Sequence, residues 1–277
     1  MSLRRREYPL AVLCDAAGIS VGGYRKRRLC TSSNRARDDA RLLAVIKRIR
    51  KKHRKFGAPR IHMALRRKGI FVSRKRVERL MRKNGLQASR VVRHHGGDLW
   101  YVAAPTDLLK RKFSVKALDR VWMGDFTDIP TDEGILKLAA IEDACSRAIV
   151  GFAMSSTCDT SLALRALSHA KRRRNPKDGL IYHVDRGPQF RSWRHEAAVE
   201  AMGALSSYSA KGTPHDNACI ESFFATLQKE LLEDSNFKTK RQARSAVARF
   251  IRYYNFDRLH STLGFNTPAE IQLAKAA

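Results

Sequence analysis

Val121-Trp122-Met123-Gly124-Asp125-Phe126-Thr127-Asp128-Ile129 is an apolar stretch with a carboxylate at its centre. Branched and aromatic side chains at this density predict a buried strand. Aspartate is disfavoured in mid-strand, so Asp125 calls for a reason. Two more short apolar runs follow at 135–141 and 148–154, set off by turns such as Thr131-Asp132-Glu133-Gly134. Three strands at this spacing predict an antiparallel meander. Downstream the period changes. Leu162, Ala166, Leu167 and Ala170 mark one side of a helix over 161–174, and residues 180–184 read as a strand. A helix over 192–202, a fifth strand over 204–207, and helices over 217–232 and 240–254 complete the pattern. The expectation is an α/β domain, a mixed five-stranded sheet with helices packed on it.

Upstream of this domain the composition is different. Residues 1–112 hold 32 Lys and Arg against 7 Asp and Glu, so they carry +25 of the net +29 of a 277-residue chain. So large an excess repels itself without a counter-charge, and it points to a polyanion. The apolar residues recur at helical spacing. Leu10, Leu13 and Ala17 form one unit, with Ser20 as the cap of the next. Leu42, Leu43, Ile46 and Ile49 run up to the Phe56-Gly57 turn, and Pro59 opens a helix through Ile61, Ala64 and Leu65 that Gly69 stops. Ser73 caps another helix, with Val77, Leu80 and Met81 inward and Gly85 at its end. Two short helices of this kind are laid out as a helix-turn-helix, whose second helix enters the major groove. Arg74, Lys75, Arg76 and Arg79 are then the candidate DNA-binding residues; a plain basic helical bundle accounts for the same periodicity. The expected organisation is a helical helix-turn-helix region over 1–87, a linker over 88–112 and the α/β core over 113–277.

Other classes fall away. No apolar run approaches the roughly 20 residues that span a bilayer. The stretch Pro9 to Cys14 is too short for a secretory core. Cys14, Cys30, Cys145, Cys158 and Cys219 are scattered and odd in number, which suits a reducing compartment and no disulfide framework. His94-His95 has no Cys-x2-Cys partner, so a zinc module is not expected.

Two further carboxylates stand in telling places. Asp185 ends a strand before the turn Arg186-Gly187-Pro188, and Glu221 opens a helix whose buried side is Ile220, Phe223, Phe224 and Leu227. Oxygen ligands from a strand, a strand end and a helix are what Mg²⁺ takes, and two such ions roughly 4 Å apart promote displacement at phosphorus.

The settings of these residues carry a resemblance. Trp122 and Thr127 around Asp125, His183-Val184-Asp185-Arg186-Gly187, and Asp216-Asn217-Ala218-Cys219-Ile220-Glu221-Ser222 resemble the DDE transposase and retroviral-integrase superfamily. The last two carboxylates are separated by 35 residues, the spacing of that group. More narrowly the chain resembles the OrfB transposases of the insertion sequence three family. Phe56-Gly57-Ala58-Pro59-Arg60-Ile61, Arg76 to Met81, and Tyr253-Tyr254-Asn255 to Gly264 with Pro268-Ala269-Glu270 agree with it. The resemblance implies an RNase H-like core in which Asp125, Asp185 and Glu221 are the catalytic metal ligands for two Mg²⁺ (or Mn²⁺) ions. It implies cleavage and strand transfer on double-stranded DNA, both element ends and target. It also implies an OrfA product or OrfA-OrfB fusion as partner, homo-oligomers on DNA, and a bacterial cytoplasmic, nucleoid-associated setting without a membrane. Another RNase H-like integrase or nuclease, and a DNA-binding regulator with an inactive core, are the alternatives.

The chain departs from the family in one place. The usual basic residue seven positions after the glutamate is Gln228 here; Lys229 follows it, rotated by about 100°. Both are candidate DNA contacts. Asp128, three residues from Asp125, points to the opposite face and is not expected to be a ligand. Asp143 is expected to be structural, pairing with Arg147 or a turn. His183 is expected to pack, and Asp216 and Asn217 to cap the Glu221 helix. Lys171 to Arg174 are either DNA contacts or a solvated helix end. Arg258 and His260 are open between DNA contact and structure.

Overall fold

The computed structural model describes residues 8–29, 34–86, 107–109, 115–209 and 217–276. Most of the expected linker, His94-His95, Cys30 and Asp216 lie outside them. The chain divides into two compact units, Met1–Ala88 and Ser89–Ala277.

The first unit is helical: α1 Leu10–Ala16, α2 Val21–Leu29, α3 Asn34–Lys52, α4 Ala58–Arg67 and α5 Arg74–Lys83. Its punctuation follows the sequence. Ser20 Oγ accepts from Gly23 N at 3.0 Å, and Ser73 Oγ accepts from Arg76 N at 3.3 Å. Gly69, at φ 74°, turns the chain after α4 so that Ile70 N reaches back to Leu65 O at 3.0 Å. Leu42, Ile46 and Ile49 of α3 bury against Ile61 and Leu65 of α4 and Val77, Leu80 and Met81 of α5. These are the residues whose spacing predicts the helices.

The second unit contains β1 Val121–Ile129, β2 Leu136–Asp143, β3 Ile149–Ser155, α6 Thr160–Arg174, β4 Ile181–Val184, α7 Trp193–Glu200, β5 Leu205–Tyr208, α8 Ala218–Glu230, α9 Lys240–Phe256 and α10 Pro268–Ala276. Among the described residues the strands form a five-stranded sheet in the order β3-β2-β1-β4-β5. β1 pairs antiparallel with β2 and β2 with β3, whereas β4 runs parallel to both β1 and β5. This is the mixed α/β core expected from the sequence.

Alternation along β1 divides the core in two. Trp122 faces α6 and α7 with Leu162, Leu167, Tyr182 and Val199, while Val121, Met123 and Ile129 face α8 and α9 with Phe223, Leu227, Val247 and Phe250. Apart from shifts of one or two residues at element ends, the structure departs from the sequence reading at β2, α8 and α10. β2 runs on through Glu142 and Asp143, which are fully buried, because Arg147 holds the Glu142 carboxylate and Ser146 N and Asp119 N hold that of Asp143. α8 stops at Glu230 and a short 3-10 turn, Leu232–Asp234, follows. α10 was not expected; most of its side chains stay in solvent, so it has little apolar periodicity. No helix among the described residues is long and apolar enough to cross a membrane.

Candidate active site and nucleic-acid interface

The register of the parallel pair β1/β4 brings the first two carboxylates together. Val121 pairs with Ile181, and the pairing runs to Gly124 with Val184. One step further stand Asp125 on β1 and Asp185 directly after the end of β4. Both follow the parity of Val121, Met123 and Ile181, so both belong to the face that α8 covers. Asp125 thus shares its face of β1 with the buried Val121, Met123 and Ile129.

Each carboxyl is oriented by the main chain beside it. Asp125 Oδ1 accepts from Phe126 N at 2.7 Å, and Asp185 Oδ1 accepts from Gly187 N at 2.9 Å. Burial pushes Asp125 up to about 7; the charge of Asp185 and, less strongly, that of Glu221 add to the rise, against the lowering by the Phe126 N–H. Asp185 is likewise raised by burial, with the Gly187 N–H pulling the other way. Half-buried anions that repel one another, each with one oxygen fixed by the backbone, form a hard-oxygen donor set with a deficit of positive charge. That chemistry fits a divalent cation. Among the described residues no three carboxylate, thiol or imidazole groups already converge into a metal cage. Asp185 and, more weakly, Glu221 act on Asp125 at Coulombic range.

Glu221 lies exposed in the first turn of α8, whose Cys219, Ile220, Phe223 and Leu227 are buried against the sheet. Asn217, expected as a cap, makes no side-chain capping bond. Its Nδ2 instead donates to Gly124 O at 3.3 Å, which ties the start of α8 to β1 next to Asp125. Gln228 is exposed two turns beyond Glu221 on the same side of the helix, and Lys229 is half-buried. Asp128 is on the other face, bonded to Lys137 at 2.8 Å.

Two residues at the site escape a sequence reading. Tyr182, buried on β4, has its phenol pushed up by burial and then by the negative charges of Asp125 and Asp185. Gly124 is the reason it fits: a Cβ there would collide with the Tyr182 hydroxyl. The only local signal is a glycine beside an aspartate inside a strand.

Several neighbouring polar residues prove to be architectural. Asp143 holds a turn, its carboxylate accepting from Ser146 N at 2.9 Å, Ser146 Oγ at 2.5 Å and Asp119 N at 3.0 Å. Arg147 pairs not with Asp143 but with buried Glu142, at 3.2 Å. His183 is buried, its Nδ1 2.9 Å from Ser207 Oγ. Arg258 forms a buried ion pair with Glu230 at 3.0 Å and lies over the Tyr254 ring, and His260 Nε2 is 3.3 Å from Tyr254 O. Of the run 171–174, Arg174 is bound to Asp119 at 2.7 Å. The described cysteines Cys14, Cys145, Cys158 and Cys219 are free thiols.

In the first unit, Val77, Leu80 and Met81 occupy one side of α5, which turns Lys75, Arg79 and Arg82 outward. Arg74 bonds Glu78 at 2.7 Å one turn on. Arg76 and Arg79 both bond Asp39 of α3, at 2.7 and 2.6 Å. Arg82, absent from the sequence reading, belongs to the outward stripe by its spacing from Lys75 and Arg79.

A family model described as an HTH-like domain matches residues 36–94, and two described as integrase core domains match residues 116–214 and 202–268. The transposase for insertion sequence element IS904 of Lactococcus lactis subsp. lactis (strain IL1403) is 39% identical over 221 residues, 79% of this chain and 87% of its own. Transposase InsF for insertion sequence IS3A of Escherichia coli (strain K12) is 32% identical over 280 residues, 96% of this chain and 94% of its own. Among solved structures, the cryoEM structure of a simian T-cell lymphotropic virus intasome in complex with PP2A regulatory subunit B56 gamma is similar to the chain. The match has a TM-score of 0.50 and 15% identity, and it covers 82% of this chain and 73% of that one. At that identity the likeness concerns the fold.

Proposed function

The chain belongs to the IS3 family of insertion-sequence transposases, and on that premise we propose that Asp125, Asp185 and Glu221 are its catalytic carboxylates, holding two divalent ions, Mg²⁺ or Mn²⁺, for DNA strand cleavage and strand transfer. The observation that carries this is the β1/β4 register, which sets Asp125 beside Asp185 under the helix that bears Glu221. When bound, the ions supply a charge that activates the attacking oxygen and neutralises the leaving one. The protein supplies position. Strand β1 and the turn after β4 hold two carboxyls by main-chain N–H bonds, and α8 brings the third on a helix anchored at Phe223 and Leu227. Phosphoryl transfer of this kind needs no covalent enzyme intermediate, so no side-chain nucleophile is required.

Double-stranded DNA, as element end and as target, is the proposed partner. Arg74, Lys75, Arg76 and Arg79 contact it from the first unit, and Gln228 and Lys229 along α8. Arg82 joins the outward stripe of α5. An OrfA product or OrfA-OrfB fusion and a second copy of the chain complete the assembly, since two ends have to be paired, and the setting is the chromosome in a bacterial cytoplasm. The test is cleavage and joining of element-end DNA in Mg²⁺. Asp125→Asn and Glu221→Gln are expected to abolish both steps while leaving DNA binding in place; undiminished strand transfer by both variants refutes the assignment.

A further inference from the structure

Two of the four α5 residues proposed to meet DNA are held by one carboxylate on another helix. Arg76 Nε donates to Asp39 Oδ1 at 2.7 Å, with its Nη2 2.7 Å from the same oxygen, and Arg79 Nη2 donates to Oδ2 at 2.6 Å. These bonds cross 37 and 40 residues of sequence. The Asp39 side chain is 16% exposed against 30% for Arg76 and 46% for Arg79, so the carboxylate sits beneath the two guanidinium groups. Their hydrogen bonds hold its carboxyl below the usual carboxylate range, and it stays ionised at neutral pH.

Two consequences follow from elementary chemistry. A guanidinium presents five donors in a rigid fork, so fixing one edge pre-aims the others and removes rotamer freedom before any ligand arrives. The same carboxylate cancels part of the charge that attracts phosphate without regard to sequence. The Arg74–Glu78 pair does neither to the same degree, since it lies at the surface on a single helix with Arg74 61% exposed. Asp39 is set apart by serving two arginines from a neighbouring helix.

We infer that Asp39 is a positioning residue for DNA recognition: it fastens Arg76 and Arg79 in one orientation on α5, so that the unit discriminates the element's end from other duplex DNA at the expense of non-specific grip. The inference rests on the reading of α5 as the DNA-facing helix.

The test compares the full chain and its Asp39→Asn variant on two short duplexes in a metal-free buffer over a range of salt. One duplex carries the terminal repeat that flanks the gene, and the other is a scrambled sequence of the same composition. The variant is expected to bind the scrambled duplex more tightly, with a salt dependence steeper by about 1–2 in log–log slope. Its preference for the terminal repeat should fall by about tenfold, the size of one well-aimed arginine contact. Asp39→Glu should keep most of the preference. A residue that merely props α3 against α5 would lower the thermal midpoint and leave slope and preference unchanged; that result overturns the inference. If Asp39→Asn does not fold, the double change Arg76→Lys with Arg79→Lys keeps the charge and removes the fork. Loss of preference at unchanged slope then supports the inference, and retained preference overturns it. A wild-type chain that shows no preference for the terminal repeat overturns the DNA-facing reading of α5 and the inference together.

Discussion

Asparagine at position 125 should make the metal-free protein more stable while making the enzyme inactive. In the folded chain the Asp125 carboxyl is raised from 3.8 to about 7, first by burial and then by Asp185. A group raised in this way contributes stability that is fully present below about 4 and lost as the pH rises through about 7. Ionising Asp125 in the folded protein therefore costs on the order of 4 kcal/mol above neutral pH, an upper bound that water and salt reduce for a half-buried group. Asparagine keeps an acceptor for the Phe126 N–H and carries no charge. Urea denaturation in EDTA should show Asp125→Asn more stable than wild type by roughly 2–4 kcal/mol at pH 8, with most of that advantage gone at pH 5. Saturating Mg²⁺ should stabilise wild type and leave the variant where it was, by the linkage of ligand binding to folding. A variant less stable than wild type at pH 8, or an advantage that does not change between pH 5 and pH 8, refutes the reasoning that three anions are crowded at this site.

Arg258→Ala should cost about 3–5 kcal/mol in urea denaturation, because the Glu230 carboxylate would lose its cationic partner while staying buried, with side chains at 7% and 6% exposure in the pair; DNA affinity of the surviving folded protein should be unchanged. Gly124→Ala should destabilise by about 1–3 kcal/mol through overpacking against Tyr182. Since Gly124 precedes Asp125 and the Tyr182 phenol lies within Coulombic range of Asp125 and Asp185, strand transfer should fall more than stability alone explains, and equal losses would argue against a role for the Gly124–Tyr182 packing. Removing residues 1–112 should flatten the salt dependence of DNA binding and abolish end recognition; an affinity that barely changes would contradict the proposed division between gripping and cutting.

The local features of this protein are legible in its sequence. β1 spans Val121–Ile129 as its apolar density predicts, Ser73 caps α5 as its position predicts, and the odd step from Asp125 to Asp128 separates a site residue from a surface ion pair. Periodicity and capping are local, and they survive folding when the tertiary context agrees with them. What the sequence hides is pairing over distance. Nothing in the spacing joins Asp39 to Arg79, Glu230 to Arg258, or Asn217 to Gly124 O, because such bonds have no period. Arg258 and His260 stay undecided between DNA and structure until Glu230 and Tyr254 are seen to claim them. The site divides in the same way. The motifs single out Asp125, Asp185 and Glu221, yet the fact that Asp125 and Asp185 stand side by side is a property of the β1/β4 register.

If Asp125, Asp185 and Glu221 act as ligands to hard divalent ions during strand transfer, exchanging one oxygen ligand for sulfur should change which metal supports the reaction. Asp185→Cys assayed on element-end DNA should lose strand transfer in Mg²⁺ and regain part of it in Mn²⁺, which accepts thiolate more readily. Wild-type levels of strand transfer by Asp185→Cys in Mg²⁺ would contradict the account.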